Sequence, residues 1–95
     1  MIKLLHGDCR ELIPGCAFDM VDLVIADPPY SETSLKWDRW PTGWLETVAG
    51  VMKPSASLWV FGSLRMFMER GPEFTAAGFK LAQEIVWEKH NGSNN

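Results

Sequence analysis

The chain has 95 residues, is 46% hydrophobic, and carries five Trp and a net charge of −3 with a pI near 5.2. That length allows one domain with a modest core. No apolar stretch approaches the length that spans a bilayer, and Met1–Leu5 is too short for a secretory leader before His6-Gly7-Asp8 interrupts it, which predicts a cytoplasmic chain. Cys9 and Cys16 lack the spacing of a zinc site or a C-x-x-C redox pair, and His6 has no neighbouring Cys or second His, so no metal site is expected.

In chain order, Ile2–Leu5 reads as a short strand ended by Gly7-Asp8. Asp8, with Glu11 three positions on, opens a brief helix through Leu12 and Ile13 that Pro14-Gly15 stops. Asp22–Ala26 is a nearly unbroken apolar run, as in a parallel strand buried on both faces. Ser31–Pro41 is polar with Trp37 and Trp40 embedded, and its length fits a functional lid. Thr42 then caps a helix carrying Trp44, Leu45, Val48, Val51 and Met52 on one face, ended by Lys53-Pro54. Ser57–Phe61 is a third strand, Gly62-Ser63 a corner, and Leu64, Phe67 and Met68 mark a short helix. Pro72 and Gly78 bracket a further turn or two, and Phe79–Lys89 supplies a fourth strand. Trp59, Trp87, Met66 and Met68 read as packing residues. Strands alternating with helices predict an α/β fold.

The chemistry concentrates where the second strand stops, at Asp27-Pro28-Pro29-Tyr30. Ligands of open α/β sheets collect outside the carboxyl ends of the strands. Two prolines fix φ twice and remove two amide donors, leaving the Asp27 carboxylate and the Pro28 carbonyl as rigid acceptors. Two acceptors facing one site suit a planar amino group, and the Tyr30 ring offers a stacking face for an extruded base. A turn with a capping Asp and a packed Tyr would use the same residues.

This motif resembles the Asp-Pro-Pro-Tyr signature of the amino-directed DNA methyltransferases. His6–Leu12 is similar to that family's Gly-Asp-Cys segment, and Lys36-Trp37-Asp38, Leu58–Gly62 and Glu84–Lys89 follow in the family's order. The resemblance implies a partial Rossmann-like sheet of about four mainly parallel strands. It also implies S-adenosylmethionine as cofactor and DNA as partner, with Asp27, Pro28, Pro29 and Tyr30 at the catalytic corner. Asp8, Cys9 and Asp27 become cofactor-binding candidates, although Asp8 reads equally well as a helix cap. Trp37 and Asp38 become substrate-loop residues, with a hydrophobic latch as the competing role for Trp37. Asp rather than Ser at position 27 points to adenine N6, with cytosine N4 as the alternative target.

Residues 1–90 then correspond to the catalytic half of a methyltransferase domain, and 91–95 to the start of a loop or linker. No G-x-G turn is present, and in this branch of the family that turn lies near the C-terminus, which implies a truncated chain missing its C-terminal half. The basic residues are scattered, so this length alone is expected to bind DNA weakly. In the family's sheet the strand before Asp27 has neighbours that are missing here, which predicts self-association through an exposed strand edge. A non-catalytic remnant or accessory module that binds nucleic acid or a partner is the competing functional class.

Overall fold

The computed structural model describes residues 2–15 and 20–88. Its elements are α1 (Cys9–Leu12), β1 (Val21–Ala26), α2 (Trp44–Ala49), β2 (Met52–Val60) and α3 (Leu64–Ala76). The class is α/β: β1 and β2 form a two-stranded parallel sheet, with Leu23 opposite Ser57 and Ala26 opposite Val60. Parallel neighbours need a crossover, and the 27–51 segment with α2 provides it.

The register slips between Val21, paired with Met52, and Leu23, paired with Ser57. The extra residues Lys53–Ala56 therefore bulge opposite Asp22. Pro54 lies in this bulge, where its missing N–H costs no ladder bond. Lys53 Nζ reaches Asp22 Oδ1 across it at 2.9 Å.

Alternation along the strands decides where the core forms. Val24, Ala26, Ala56, Leu58 and Val60 turn to one face and pack on a cluster of Trp40, Trp44, Leu45, Val48, Met52 and Met66. Leu23, Ile25 and Trp59 turn to the other face, which no described element covers, and Ile25 is 65% exposed. The expectation of a strand buried on both faces therefore holds for one face only.

Strand content is the largest departure from the sequence reading. Ile2–Leu5 and Phe79–Glu88 lie outside any strand, with most of their large apolar side chains, Trp87 included, exposed. Their apolar patterns suit strands, but a strand exists only when a neighbouring strand takes its backbone groups, and among the described residues the sheet contains β1 and β2 alone. Lys89, the expected linker 91–95 and Cys16 lie outside the described residues.

Helix boundaries shift for local reasons. Gly43 at φ 88, rather than Thr42, stands at the N-cap of α2, and the helix ends at Gly50, so Met52 opens β2. The two expected short helices are one, with Pro72 inside α3. That single helix starts on Ser63, whose Oγ accepts from the Met66 amide at 3.1 Å. It ends with Gly78 at φ 96 and the Phe79 amide on the Phe74 carbonyl at 3.0 Å, a Schellman closure. At the preceding corner a Cβ on Gly62 would displace the tip of the Met66 side chain. Met66 is buried as expected, whereas Met68 faces solvent.

Candidate active site

At the carboxyl end of β1 the Phe61 amide bonds the Ala26 carbonyl at 2.9 Å, the last rung before the chain leaves the sheet at Asp27. Pro28 and Pro29 hold that exit stiff. Tyr30 folds back so that its hydroxyl donates to Asp27 Oδ1 at 3.1 Å. Burial first, then this bond and the Asp27 charge, raise the Tyr30 pKa above its ordinary value, so the hydroxyl stays a donor. Among the described residues Asp27 Oδ2 and the Pro28 carbonyl accept no hydrogen bond. The corner therefore presents two open acceptors beside an aromatic ring.

The following loop is built around one carboxylate. Asp38 is 4% exposed. Its Oδ1 accepts from the Ser31 amide at 2.8 Å, and its Oδ2 from the Glu32 amide at 3.0 Å, the Thr33 amide at 2.8 Å and the Thr33 hydroxyl at 2.8 Å. The Thr33 hydroxyl, and then the backbone donors, hold the Asp38 pKa below its ordinary value against the opposing effect of burial. Arg39 does the converse, donating through Nη1 to the carbonyls of Thr33, Leu35 and Asp38 at 3.3, 2.9 and 2.8 Å. A buried anion collects the loop's amides while the next residue's cation collects its carbonyls. This arrangement supports Ser31 at φ 61, a left-handed backbone that L-residues adopt at a cost.

Both ends of the loop are pinned to α3. Ser63 Oγ bonds the Glu32 carboxylate. Trp40 is buried, its amide donating to Ser31 Oγ at 2.5 Å and its Nε1 to Glu73 Oε1 at 2.8 Å. Arg70 pairs with Glu73 at 3.1 Å and lies over the Trp40 ring, 5.2 Å from its centroid. Trp40 is thus the latch, not Trp37, which is 69% exposed. Both tryptophans sit in one polar stretch, and the signal that separates them is Trp44, four residues after Trp40, whose ring meets Trp40 edge-on at 5.7 Å.

Asp27 through Tyr30, with Glu32, Thr33, Trp37 and Asp38, line one open cleft of about 520 Å³. Asp8 and Cys9 do not line it. Asp8 caps α1 by accepting from the Arg10 amide at 2.9 Å, and Arg10 Nη2 lies 2.7 Å from its Oδ2. Hydrogen bonding to Arg10 brings the Asp8 pKa down to about 2. Cys9 leans on the core, and burial, reinforced by the Asp8 charge, pushes its thiol pKa up. No group of three or more His, Cys, Asp or Glu among the described residues could hold a metal ion. Arg10, Arg39, Lys53 and Arg70 are engaged within the protein, whereas Lys36 and Arg65 face solvent.

Asp38 carries a testable consequence. In Asp38→Ala the amides of Ser31, Glu32 and Thr33 lose their acceptor, and their hydrogen exchange should accelerate about tenfold or more, the worth of one bond to a charged group. Unchanged protection would mean that the pins to α3 alone hold the loop. Because the folded pKa is depressed, this anchor is fully present above the ordinary carboxylate range and is lost only as pH falls through the lowered value.

The model of the N6 and N4 DNA methylase family matches residues 21–95, and the chain belongs to that family. It is 27% identical to the type II methyltransferase M2.LlaDCHI of Lactococcus lactis subsp. cremoris and 25% identical to M2.DpnII of Streptococcus pneumoniae, in each case over 97% of this chain and 43% of the relative. It is also 25% identical to M.HinfI of Haemophilus influenzae over 93% of this chain and 32% of that protein. The chain therefore spans less than half the length of these relatives. No solved structure matches.

Proposed function

We propose that the Asp27 cleft is the base-binding corner of a DNA methyltransferase that uses S-adenosylmethionine and methylates the exocyclic N6 of adenine. The observation that carries this reading is the pair of open acceptors, Asp27 Oδ2 and the Pro28 carbonyl, beside the Tyr30 ring. An exocyclic amine is a weak nucleophile because its lone pair is conjugated with the ring. Asp27 and Pro28 would accept the two amino hydrogens, hold the nitrogen in place and favour the charge that develops there. Tyr30 would stack on the extruded base while its hydroxyl keeps the Asp27 carboxylate oriented.

S-adenosylmethionine supplies an electrophilic methyl group on a sulfonium. The chain fits this cofactor in part: Asp27 offers an anionic oxygen in the cleft, whereas both Asp8 oxygens are held by Arg10. Asp27 is accordingly the strongest cofactor contact, and Asp8 and Cys9 enter the site only if α1 reorients. Their present engagement favours a second reading, a non-catalytic module that keeps the fold and binds nucleic acid. Calorimetry separates the two: binding of S-adenosylmethionine by the full-length protein supports the enzyme, and DNA binding without it supports the module.

The apolar segments Ile2–Leu5 and Phe79–Glu88, the open edge of β1 and the bare face at Ile25 fit the larger, Rossmann-like, four-stranded sheet, or else contact with a second copy. Sedimentation of the full-length protein distinguishes a monomer, with these surfaces covered internally, from an associating chain. No helix among the described residues is long and apolar enough to cross a membrane, and a DNA substrate would place the protein in the cytoplasm.

Tyr30 separates the ring's contribution from that of the hydroxyl. Tyr30→Phe keeps the stacking face and loses the bond to Asp27, so methyl transfer should fall about tenfold. Tyr30→Ala should lose about 1–3 kcal/mol of base binding as well. Single-turnover kinetics check this, and equal damage from both substitutions would assign the whole effect to the hydroxyl.

A further inference from the structure

The burial of the loop is inverted. Asp38, a residue type that normally faces water, is 4% exposed, while its neighbour Trp37 is 69% exposed and Leu35 is exposed too. This is not slack in an unstructured segment. The Trp37 carbonyl accepts from the Arg39 amide at 2.9 Å, the Asp38 amide bonds the Leu35 carbonyl at 3.1 Å, and the Asp38 and Arg39 side chains brace both flanks. The backbone therefore sets a largely exposed indole, in no aromatic pair among the described residues, into the lining of the cleft that it shares with Asp27 and Tyr30. Lys36, at the same tip, is exposed and enters no ion pair among the described residues.

We propose that the tip Leu35-Lys36-Trp37 is a DNA contact in which the Trp37 ring enters the base stack next to the extruded target, an inference that rests on the base-methylation reading of the adjoining cleft. Extruding a base leaves an unstacked gap, and a flat aromatic at the rim can restore the lost stacking. The tip backbone, already fixed by the Asp38 and Arg39 bonds, adds little ordering cost on binding. Lys36 beside it supplies a cation for the phosphate that flanks the gap. Continuity with the cleft argues for DNA as the occupant in place of a second copy of the chain. Tyr30 and Trp37 then divide the work, Tyr30 holding the extruded base and Trp37 the vacated stack.

The test uses the full-length protein and a mixed-sequence duplex in which 5-iodouracil replaces thymine, with photo-crosslinks mapped by mass spectrometry. A crosslink on Trp37 is expected, and it should persist in Asp27→Ala. Trp37→Ala should weaken duplex binding about 5- to 160-fold, the worth of one stacked base, with S-adenosylmethionine affinity unchanged and with Trp37→Phe keeping most of the DNA affinity. Crosslinks confined to other residues, or duplex affinity unchanged in Trp37→Ala, would overturn the inference even if methyl transfer is intact. A Trp37→Ala protein that changes its association state and not its DNA affinity would also overturn it, in favour of a protein contact. A Trp37 crosslink in a wild-type protein that transfers no methyl group would uphold the contact and reject the catalytic reading.

Discussion

Replacing Asp27 by alanine in the full-length protein should lower methyl transfer to DNA about 10²- to 10³-fold, the usual cost of removing one preorganised polar partner from a reacting group. Asp27 stands at the end of β1 and lines the cleft, its Oδ1 bonded by Tyr30 and its Oδ2 without a hydrogen bond among the described residues. Its removal takes away one of two acceptors for the target amine and leaves the Pro28 carbonyl alone. The fold should survive, because the single hydrogen bond lost with the side chain is an exposed one, to Tyr30. Initial rates with labelled methyl donor measure the effect, read beside the circular dichroism of the variant. Undiminished transfer would remove Asp27 from the chemistry.

Trp40→Ala should have the largest effect on stability, about 3–5 kcal/mol. The side chain is 7% exposed and stands where Trp44 and Phe74 meet, with ring centroids at 5.7 and 6.3 Å. Its loss opens a cavity, removes the Nε1 bond to Glu73, and leaves Arg70 without its ring. A domain of this size holds its fold by a margin of about 5–15 kcal/mol, so one such change consumes much of it. Because Trp40 also closes the loop that Asp38 organises, the cleft should loosen along with the core. Urea unfolding followed by fluorescence measures the loss. Trp40→Phe, which restores volume without the N–H donor, should fall between wild type and alanine, and an alanine variant as stable as wild type would show that the aromatic cluster is not the core's centre.

The Asp27–Tyr30 corner is legible in the sequence because its signals are local. An apolar strand ended by two prolines and a Tyr can turn in few ways, and the structure brings the Tyr30 hydroxyl back onto Asp27. Asp8 as a cap and Gly78 past a helix end are equally local. What the sequence could not show depends on partners distant along the chain. Ile2–Leu5 and Phe79–Glu88 have strand patterns, but pairing is decided by a neighbour and not by the segment itself. Trp37 and Trp40 are the same residue type three positions apart, and only contact with Trp44 and Glu73 makes one a latch and the other an exposed ring. Asp38 reads only as a substrate-loop residue, since nothing in its neighbours announces that the loop closes around it. Pro72 marked a boundary by propensity, yet α3 runs through it.

The central claim, that the Asp27 cleft methylates adenine at N6, is tested most directly by mass spectrometry of nucleosides from mixed-sequence DNA incubated with the full-length protein and methyl-labelled S-adenosylmethionine. Labelled N6-methyldeoxyadenosine is expected with the wild-type protein, and a drop of about 10²-fold or more with Asp27→Ala. No labelled nucleoside from the wild type, or equal label from the two proteins, would contradict it.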